Sequence, residues 1–238
     1  MQFPGQNADI HARAAERDWA GVAAGLTCVA SAWAALLMSF VLIIVLGFVL
    51  IFWREDHPWV ASVIFWTLFV YYACCVLGLV TGMCMCCRAP VESGGRRYAQ
   101  ATVALVGAGL VLTAVWLFWN PLHYWVAPVA LIRWLLLAID FTVLTIWISA
   151  MFAWSLFLSA VATYFEKYDL SRQARAFAVA FAAAAGCGVV SVVMRHFGIA
   201  CESLDLVLTG VTLISLVGLY GWMFGLLESV RLLLRQHN

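Results

Sequence analysis

The chain has 238 residues, of which 66% are hydrophobic and 11% charged, and its formal net charge is +1. A soluble domain covers its surface with far more charge, typically about a quarter of its residues, so this composition excludes a soluble globular fold. The near-neutral balance gives no reason to expect a nucleic-acid partner. Long apolar stretches without period-two alternation instead predict an all-α polytopic bundle of transmembrane helices.

The N-terminal segment, 1–20, is predicted to be cytoplasmic. The apolar run after it, 19–53, is too long for the core of a cleavable signal peptide. The eighteen residues before this run also carry three carboxylates. We therefore interpret this run as a retained first span. The predicted organisation is completed by a single transmembrane bundle over 21–233 and a cytoplasmic tail over 234–238.

Six spans are predicted, in chain order, at 24–53, 59–86, 99–119, 136–164, 176–195 and 204–227. All prolines fall outside these spans, as expected of residues that lack a backbone N–H donor. The stretch 122–165 is longer than one membrane thickness. We interpret its first part, 122–135, as an outer interfacial or re-entrant segment that continues into the fourth span; a short seventh span is the alternative.

Lysine and arginine predict the orientation, because short loops rich in them stay on the cytoplasmic side. In a six-span topology ten of them share one side, and only Arg54, Arg133 and Arg195 lie on the other. Tryptophans, which anchor at membrane interfaces, cluster at the proposed outer interface: Trp53, Trp59, Trp119, Trp125 and Trp134. We therefore predict a multi-pass protein of the cell membrane with both termini in the cytoplasm.

Three cysteines, Cys84, Cys86 and Cys87, lie at the cytoplasmic end of the second predicted span. Thiolates suit soft metals such as Cu(I), and juxtamembrane cysteines are common acylation sites. The favoured interpretation is that they pack as small hydrophobic residues. Only Cys201 lies on the predicted outer side, so no outer disulfide within the chain is expected.

Three histidines, His57, His123 and His196, fall one in each outer connection. Together with nearby carboxylates they would suit Zn or Cu. Their spacing within any one loop is not that of a ligand set, so we expect no cofactor and keep an outer metal site as an alternative.

Charge is costly inside the membrane, which draws attention to Arg133 and Asp140. Seven residues separate them, so they share a helical face about 10 Å apart along the axis. One interpretation is an ion or proton path with Asp140 as the titrating group. The favoured one is a pair at the outer headgroup boundary, with Arg133 reaching outward. The same face, which should turn toward the protein interior or a wet cavity, continues through Leu144, Trp147, Met151 and Trp154.

The connection before the third span ends in glycines followed by Arg96 and Arg97. A helix start with free backbone donors and paired arginines suits a lipid phosphate. The favoured interpretation is a turn with a helix cap and a positively charged membrane anchor.

Glycines of the last span, Gly210, Gly218, Gly221 and Gly225, share one face, within roughly 80° at about 100° per residue. Such a face predicts close packing of another helix. We expect the partner helix to be intramolecular, with a second subunit as the alternative.

Two segments, Gly82 to Arg97 and Tyr164 to Arg175, resemble loops found in uncharacterised bacterial multi-pass membrane proteins. The resemblance implies a membrane location and spans arranged in pairs. It implies no activity.

No P-loop, His-Glu-x-x-His, Gly-x-Ser-x-Gly or dinucleotide motif occurs, so we do not expect an enzyme. The main hypothesis is a non-enzymatic integral membrane protein, a scaffold or accessory subunit of a membrane complex. Its partners would be the lipid bilayer and other membrane subunits or a second copy. The alternatives are a small ion, proton or solute transporter or channel that uses Asp140 and Arg133, and an outer-face metal-binding protein.

Overall fold

The computed structural model describes residues 18–36, 38, 58–125, 130–196 and 202–237, and for some residues within these ranges only the backbone. Every regular element in these ranges is helical. In chain order they are α1 (Asp18–Leu36), α2 (Pro58–Cys86), a 3-10 turn (Val91–Ser93), α3 (Gly95–Trp125), α4 (Ala130–Tyr164), α5 (Tyr168–His196) and α6 (Glu202–His237). The predicted all-α class is confirmed.

Six helices in the described part of the chain are long and apolar enough to cross a membrane, at Asp18–Leu36, Ser62–Cys86, Gly95–Val115, Phe141–Tyr164, Tyr168–Val190 and Gly210–Gln236. This agrees with the predicted six-span bundle. Helices α2 to α6 are longer than the predicted spans: for example, α5 begins at Tyr168 rather than 176, and α6 continues to His237. Hydropathy marks the hydrocarbon layer, whereas helix ends are set by caps and turns.

The predicted outer segment 122–135 is divided between two helices. Its first residues extend α3 as far as Trp125, and its last ones begin α4 at Ala130. The intervening residues, 126–129, lie outside the described part of the chain. The predicted continuation into the fourth span is therefore present from Ala130 onward. Pro121 lies inside α3, although beyond its candidate span.

The chain divides into two compact units, Met1–Ala89 with Leu227–Asn238, and Pro90–Leu226. The first contains α1, α2 and the end of α6. The second contains the 3-10 turn, α3, α4, α5 and the rest of α6, and within it α4 contacts both α3 and α5. The single bundle over 21–233 stays a prediction.

In the first unit, α1 and α2 cross at two glycines. A Cβ atom added to Gly25 would lie 2.6 Å from the carbonyl oxygen of Gly82, and one added to Gly82 would lie 2.6 Å from that of Gly25. Each glycine belongs to a GxxxG pair, with Gly21 on α1 and Gly78 on α2. This pattern lets membrane helices approach closely, so here the two backbones are in direct contact.

Side-chain donors reach backbone carbonyls across the same pair of helices. Cys28 Sγ donates to the carbonyl oxygen of Gly78 at 3.2 Å. Seven residues later on α1, the carbonyl oxygen of Ala35 accepts a bond of 2.9 Å from Tyr71 OH. Later residues of α1 thus pair with earlier residues of α2, and the two helices are antiparallel.

In the second unit, the aromatic face of α4 turns toward protein. Trp154 is fully buried and stacks on Phe157 with ring centroids 5.0 Å apart. Trp147 lies against Gly109 of α3, where an added Cβ would be 3.2 Å from its ring, and donates from Nε1 to Thr113 Oγ1 at 3.4 Å. This is the inward orientation that the sequence predicts for this face.

Candidate functional site

A tight turn at 165–167 joins α4 to α5. The N–H of Lys167 donates to the carbonyl oxygen of Ala162 at 2.8 Å, and the N–H of Glu166 donates to that of Thr163 at 3.0 Å. These two bonds form a Schellman motif. Glu166 has φ +58°, the left-handed conformation that usually calls for glycine. The turn brings the last turns of α4 beside the first turns of α5.

Four polar side chains meet next to this turn, and we call them the hydroxyl–arginine cluster: Ser159, Thr163, Ser171 and Arg175. The hydroxyl oxygens of Ser159 and Ser171 lie 2.8 Å apart, and Thr163 Oγ1 donates to Ser171 Oγ at 2.9 Å. Arg175 Nε donates to Ser159 Oγ at 3.0 Å. Because hydroxyl groups both donate and accept, the cluster links the two helices through side chains alone.

The cluster follows from helical spacing on both sides of the turn. Ser159 and Thr163 are four residues apart on α4, and Ser171 and Arg175 are four apart on α5. Residues with this spacing lie one above the other on one helical face. The antiparallel hairpin sets the two faces against each other, and the inner serines are almost completely buried, at 3% and 4% exposure.

Sequence reasoning misses this cluster. Serine and threonine are ordinary in membrane helices, where the hydroxyl commonly bonds the carbonyl four residues earlier. Thr27, Thr67 and Thr142 do so here, at 2.7 to 2.9 Å. The signal in the sequence is a pair of polar residues with i, i+4 spacing on each side of a short turn. This pattern indicates a cluster only when the two helices are known to pack against each other.

The guanidinium of Arg175 is anchored at one end. Its Nε bonds the buried Ser159, while the side chain as a whole is exposed. No described residue accepts a hydrogen bond from its Nη groups or forms an ion pair with it. The nearby acidic residues, Glu166 and Asp169, are exposed and belong to the turn and the first turn of α5.

The start of α3 has a defined cap. Ser93 Oγ accepts a bond from the N–H of Gly95 at 3.2 Å and donates to the carbonyl oxygen of Pro90 at 2.7 Å. Gly94 has φ +64°, which glycine adopts without strain. The favoured interpretation of this connection, a turn with a helix cap, is therefore present in the structure.

Arg96 and Arg97 are both exposed on the first turn of α3. They border an open depression of about 720 Å³ whose other residues are Val91, Glu92, Gly94, Tyr98, Gln100 and Ala160. The arrangement offers two cations next to a helix start. Lipid-phosphate binding by this pair stays a prediction.

The three cysteines at the end of α2 have different environments. Cys84 is exposed, Cys86 is fully buried with its thiol 3.9 Å from the carbonyl oxygen of Val22, and Cys87 is half-buried with its thiol donating to that of Met83 at 3.6 Å. Among the residues that the structure describes, no three histidine, cysteine or acidic side chains gather in a metal-binding arrangement. Cys86 packs against α1, and acylation stays a prediction for which Cys84 is the exposed candidate.

The remaining predicted site residues lie outside the described side chains. His57 is outside the described residues altogether, and only the backbone is described for His123 on α3 and His196 at the end of α5. The same holds for Arg133 and Asp140, which both lie on α4. The outer metal site and the ion path stay predictions.

The four glycines predicted to form a packing face on α6 leave space around their Cα atoms. A Cβ added at Gly210, Gly218, Gly221 or Gly225 would meet no atom within 4 Å. The contact nearby is made by α5, where a Cβ at Gly188 would lie 3.5 Å from Thr212 Cγ2. The predicted packing role of these glycines, within the chain or with a second subunit, stays a prediction.

An open groove of about 470 Å³ runs between α5 and α6, and small side chains supply much of its wall. Its lining residues are Ala180, Ala183, Ala184 and Cys187 of α5 with Val211, Thr212, Ser215, Gly218, Leu219 and Trp222 of α6. Trp222 also makes an edge-to-face contact with Phe177 of α5, with ring centroids 5.8 Å apart. The groove therefore has one aromatic end and a wall of alanines and glycine.

Comparisons of the chain with protein-family models, with curated proteins and with solved structures found no match. Its function is therefore argued from its own residues.

Proposed function

We propose that this chain is a non-enzymatic integral membrane protein that acts as a scaffold or accessory subunit of a membrane complex. The observation that carries the proposal is the groove between α5 and α6. We propose that it receives a transmembrane helix of a partner subunit.

Helix association in lipid depends on close packing, because lipid tails are as apolar as the helices themselves. Small residues spaced four apart let a second backbone approach, and α5 offers two such pairs, Ala180 with Ala184 and Ala183 with Cys187. On α6, Gly218 adds a position without a side chain. These small residues favour a helix, rather than an irregular segment, as the occupant of the groove.

A hydroxyl in the groove favours a helix over a lipid tail as the occupant. Ser215 lines the groove together with apolar side chains. Serine hydroxyls on membrane helices form hydrogen bonds across helix interfaces, and a lipid tail offers no partner for one. A helix with a polar group at that depth matches the groove best.

The proposed location is the cell membrane, with both termini in the cytoplasm. In the second unit the start of α3 lies beside the end of α4, since a Cβ at Gly95 would be 3.3 Å from the ring of Phe157. The cations of both connections, Arg96, Arg97 and Lys167, therefore gather at one end of that unit. The positive-inside rule assigns this end to the cytoplasm.

Photo-crosslinking from the groove tests the proposal. A photoreactive residue at Ala183, inside the groove, is expected to give one discrete adduct with another membrane protein or a second copy. The matched control is Ala182, which is also exposed on α5 but does not line the groove, and it is expected to react mainly with lipid. Equal labelling from both positions, or lipid adducts alone, contradicts the proposal.

A second pair of variants tests the groove itself. Gly218→Leu places a side chain in the groove, and its Cβ would meet no atom within 4 Å, so it should remove the adduct while leaving the amount of folded protein unchanged. Gly221→Leu, on the same helix but outside the groove, should leave the adduct in place. Loss of the adduct in both variants would indicate general damage rather than a docking groove.

A further inference from the structure

Arg175 is oriented by buried serine hydroxyls. Its Nε bonds Ser159 Oγ, which lies 2.8 Å from Ser171 Oγ, and both serines are buried. A free arginine side chain samples many rotamers, and ordering it costs up to about 2 kcal/mol. Here the cluster has already restricted the side chain, so a ligand would meet a guanidinium that is fixed in place.

The outer edge of that guanidinium remains available. Arginine has five N–H donors in a planar fork, and the bond to Ser159 uses the one on Nε. No described residue accepts from Nη1 or Nη2 of Arg175, and the side chain is exposed. Two parallel N–H donors on that edge match two oxygens of a phosphate group.

The depth of Arg175 places it where phosphate groups are found in a membrane. It is seven residues into α5, about 10 Å along the axis from the start of the helix at Tyr168. Each headgroup layer is roughly 5–8 Å thick. With the turn at the water surface, Arg175 lies near the boundary between headgroups and hydrocarbon, where an unpaired cation is costly.

The neighbouring charges are compatible with an anion at this position. Arg172, one turn closer to the connection, is exposed and adds positive charge. The acidic residues Glu166 and Asp169 lie at the connection and the start of α5, and neither forms an ion pair with Arg175 in the described structure. No carboxylate of the described chain therefore takes the place of an external anion.

We propose that Arg175, held by the hydroxyl–arginine cluster, binds a phosphate group, either on the headgroup of an anionic phospholipid or free in solution. The inference does not depend on the groove between α5 and α6. It also differs from the Arg96 and Arg97 pair, because a buried hydroxyl network orients the cation.

Native mass spectrometry of the full chain with phosphatidylglycerol tests whether the bound phosphate group belongs to a lipid headgroup. The wild-type protein should retain phosphatidylglycerol in preference to phosphatidylcholine. Arg175→Gln should weaken its binding roughly tenfold, the equivalent of one charge-assisted hydrogen-bonded contact. The matched control Arg172→Gln removes the same charge from the same helix and should change binding by less than about twofold.

Two further variants separate positioning from charge. Ser159→Ala keeps the arginine but frees its Nε, and Arg175→Lys keeps the charge but removes the planar fork; each should weaken phosphatidylglycerol binding about threefold. Melting temperatures establish that each variant is folded. If Arg175→Gln does not fold, wild-type binding by both of these variants overturns the proposal.

A parallel experiment with inorganic phosphate tests whether the site instead binds free phosphate. Thermal stabilisation of delipidated protein by phosphate, lost in Arg175→Gln but kept in Arg172→Gln, together with no preference for phosphatidylglycerol, assigns the site to free phosphate. The proposal is overturned if neither probe binds in an Arg175-dependent way, or if Arg172→Gln and Arg175→Gln weaken binding equally.

Discussion

The α1–α2 pair and the α4–α5 hairpin both hold two antiparallel membrane helices together, but they do so by different means. In α1–α2 the backbones touch at Gly25 and Gly82, where an added Cβ would lie 2.6 Å from a carbonyl oxygen. In α4–α5 the described side-chain hydrogen bonds between the helices lie in the hydroxyl–arginine cluster. The first pair should therefore be sensitive to the size of a residue and the second to its polar atoms.

The largest expected effect is a loss of stability in Gly82→Ala. The new Cβ would lie 2.6 Å from the carbonyl oxygen of Gly25 and 2.7 Å from Val29 Cγ2, so α1 and α2 must separate. We expect the free energy of unfolding in detergent to fall by about 3 kcal/mol. The control is Gly107→Ala on α3, where a Cβ meets nothing within 4 Å and helix propensity favours alanine by up to about 1 kcal/mol. Equal stability of the two variants would contradict direct backbone contact between α1 and α2 at Gly82.

A smaller loss is expected in Ser171→Ala. This change removes the hydroxyl that lies within hydrogen-bond distance of Ser159 and Thr163 in the cluster. Ser159 keeps its bond from Arg175, and Thr163 keeps its bond to the carbonyl oxygen of Ser159. The change therefore removes two hydrogen bonds worth about 0.5–1.5 kcal/mol each, and we expect a loss of about 1.5 kcal/mol in the same unfolding measurement.

The control for that experiment is Thr67→Ala on α2. Its hydroxyl is exposed and bonds only the carbonyl oxygen of Val63 in its own helix, at 2.8 Å. We expect a change of less than about 0.5 kcal/mol. A loss as large as that of Ser171→Ala would mean that the hydroxyl cluster contributes nothing beyond ordinary helix bonds.

The smallest effect is a gain of stability in Glu166→Gly. The left-handed conformation at φ +58° costs a residue with a Cβ about 1–2 kcal/mol, and glycine adopts it without that penalty. We expect a gain of about 1 kcal/mol, partly offset by the greater freedom of glycine in the unfolded chain. Lys167→Gly, at the next position and without a positive φ, should instead lower stability. A loss of stability in Glu166→Gly would contradict the Schellman turn between α4 and α5.

The same contrast explains what the sequence could predict. Six helices of membrane-spanning length followed from the apolar runs, because each span needs about 20 apolar residues whatever it packs against. The partner of each face did not follow, since both lipid-facing and buried faces of these helices are apolar. A Cβ added on the glycine face predicted on α6 would meet no atom within 4 Å, while the close backbone contact occurs at Gly25 and Gly82.

The candidate site was predictable to a similar degree. A turn with a helix cap before α3 was predicted from the glycines of that connection, because caps depend on adjacent residues. The hydroxyl–arginine cluster joins residues from two helices, and their meeting depends on the turn at 165–167. Its left-handed residue is Glu166, which gives no glycine signal in the sequence.

The central claim is that the chain crosses the membrane six times, with the connection before α3 and the turn between α4 and α5 in the cytoplasm. Labelling with a membrane-impermeant maleimide in intact cells tests this claim most directly. Cys201 lies in the predicted outer connection before α6, so the wild-type chain should be labelled. In a Cys201→Ser background, Glu92→Cys and Lys167→Cys should react only after the cells are permeabilised. Labelling of either introduced thiol in intact cells would contradict the proposed topology and the orientation assigned to Arg175.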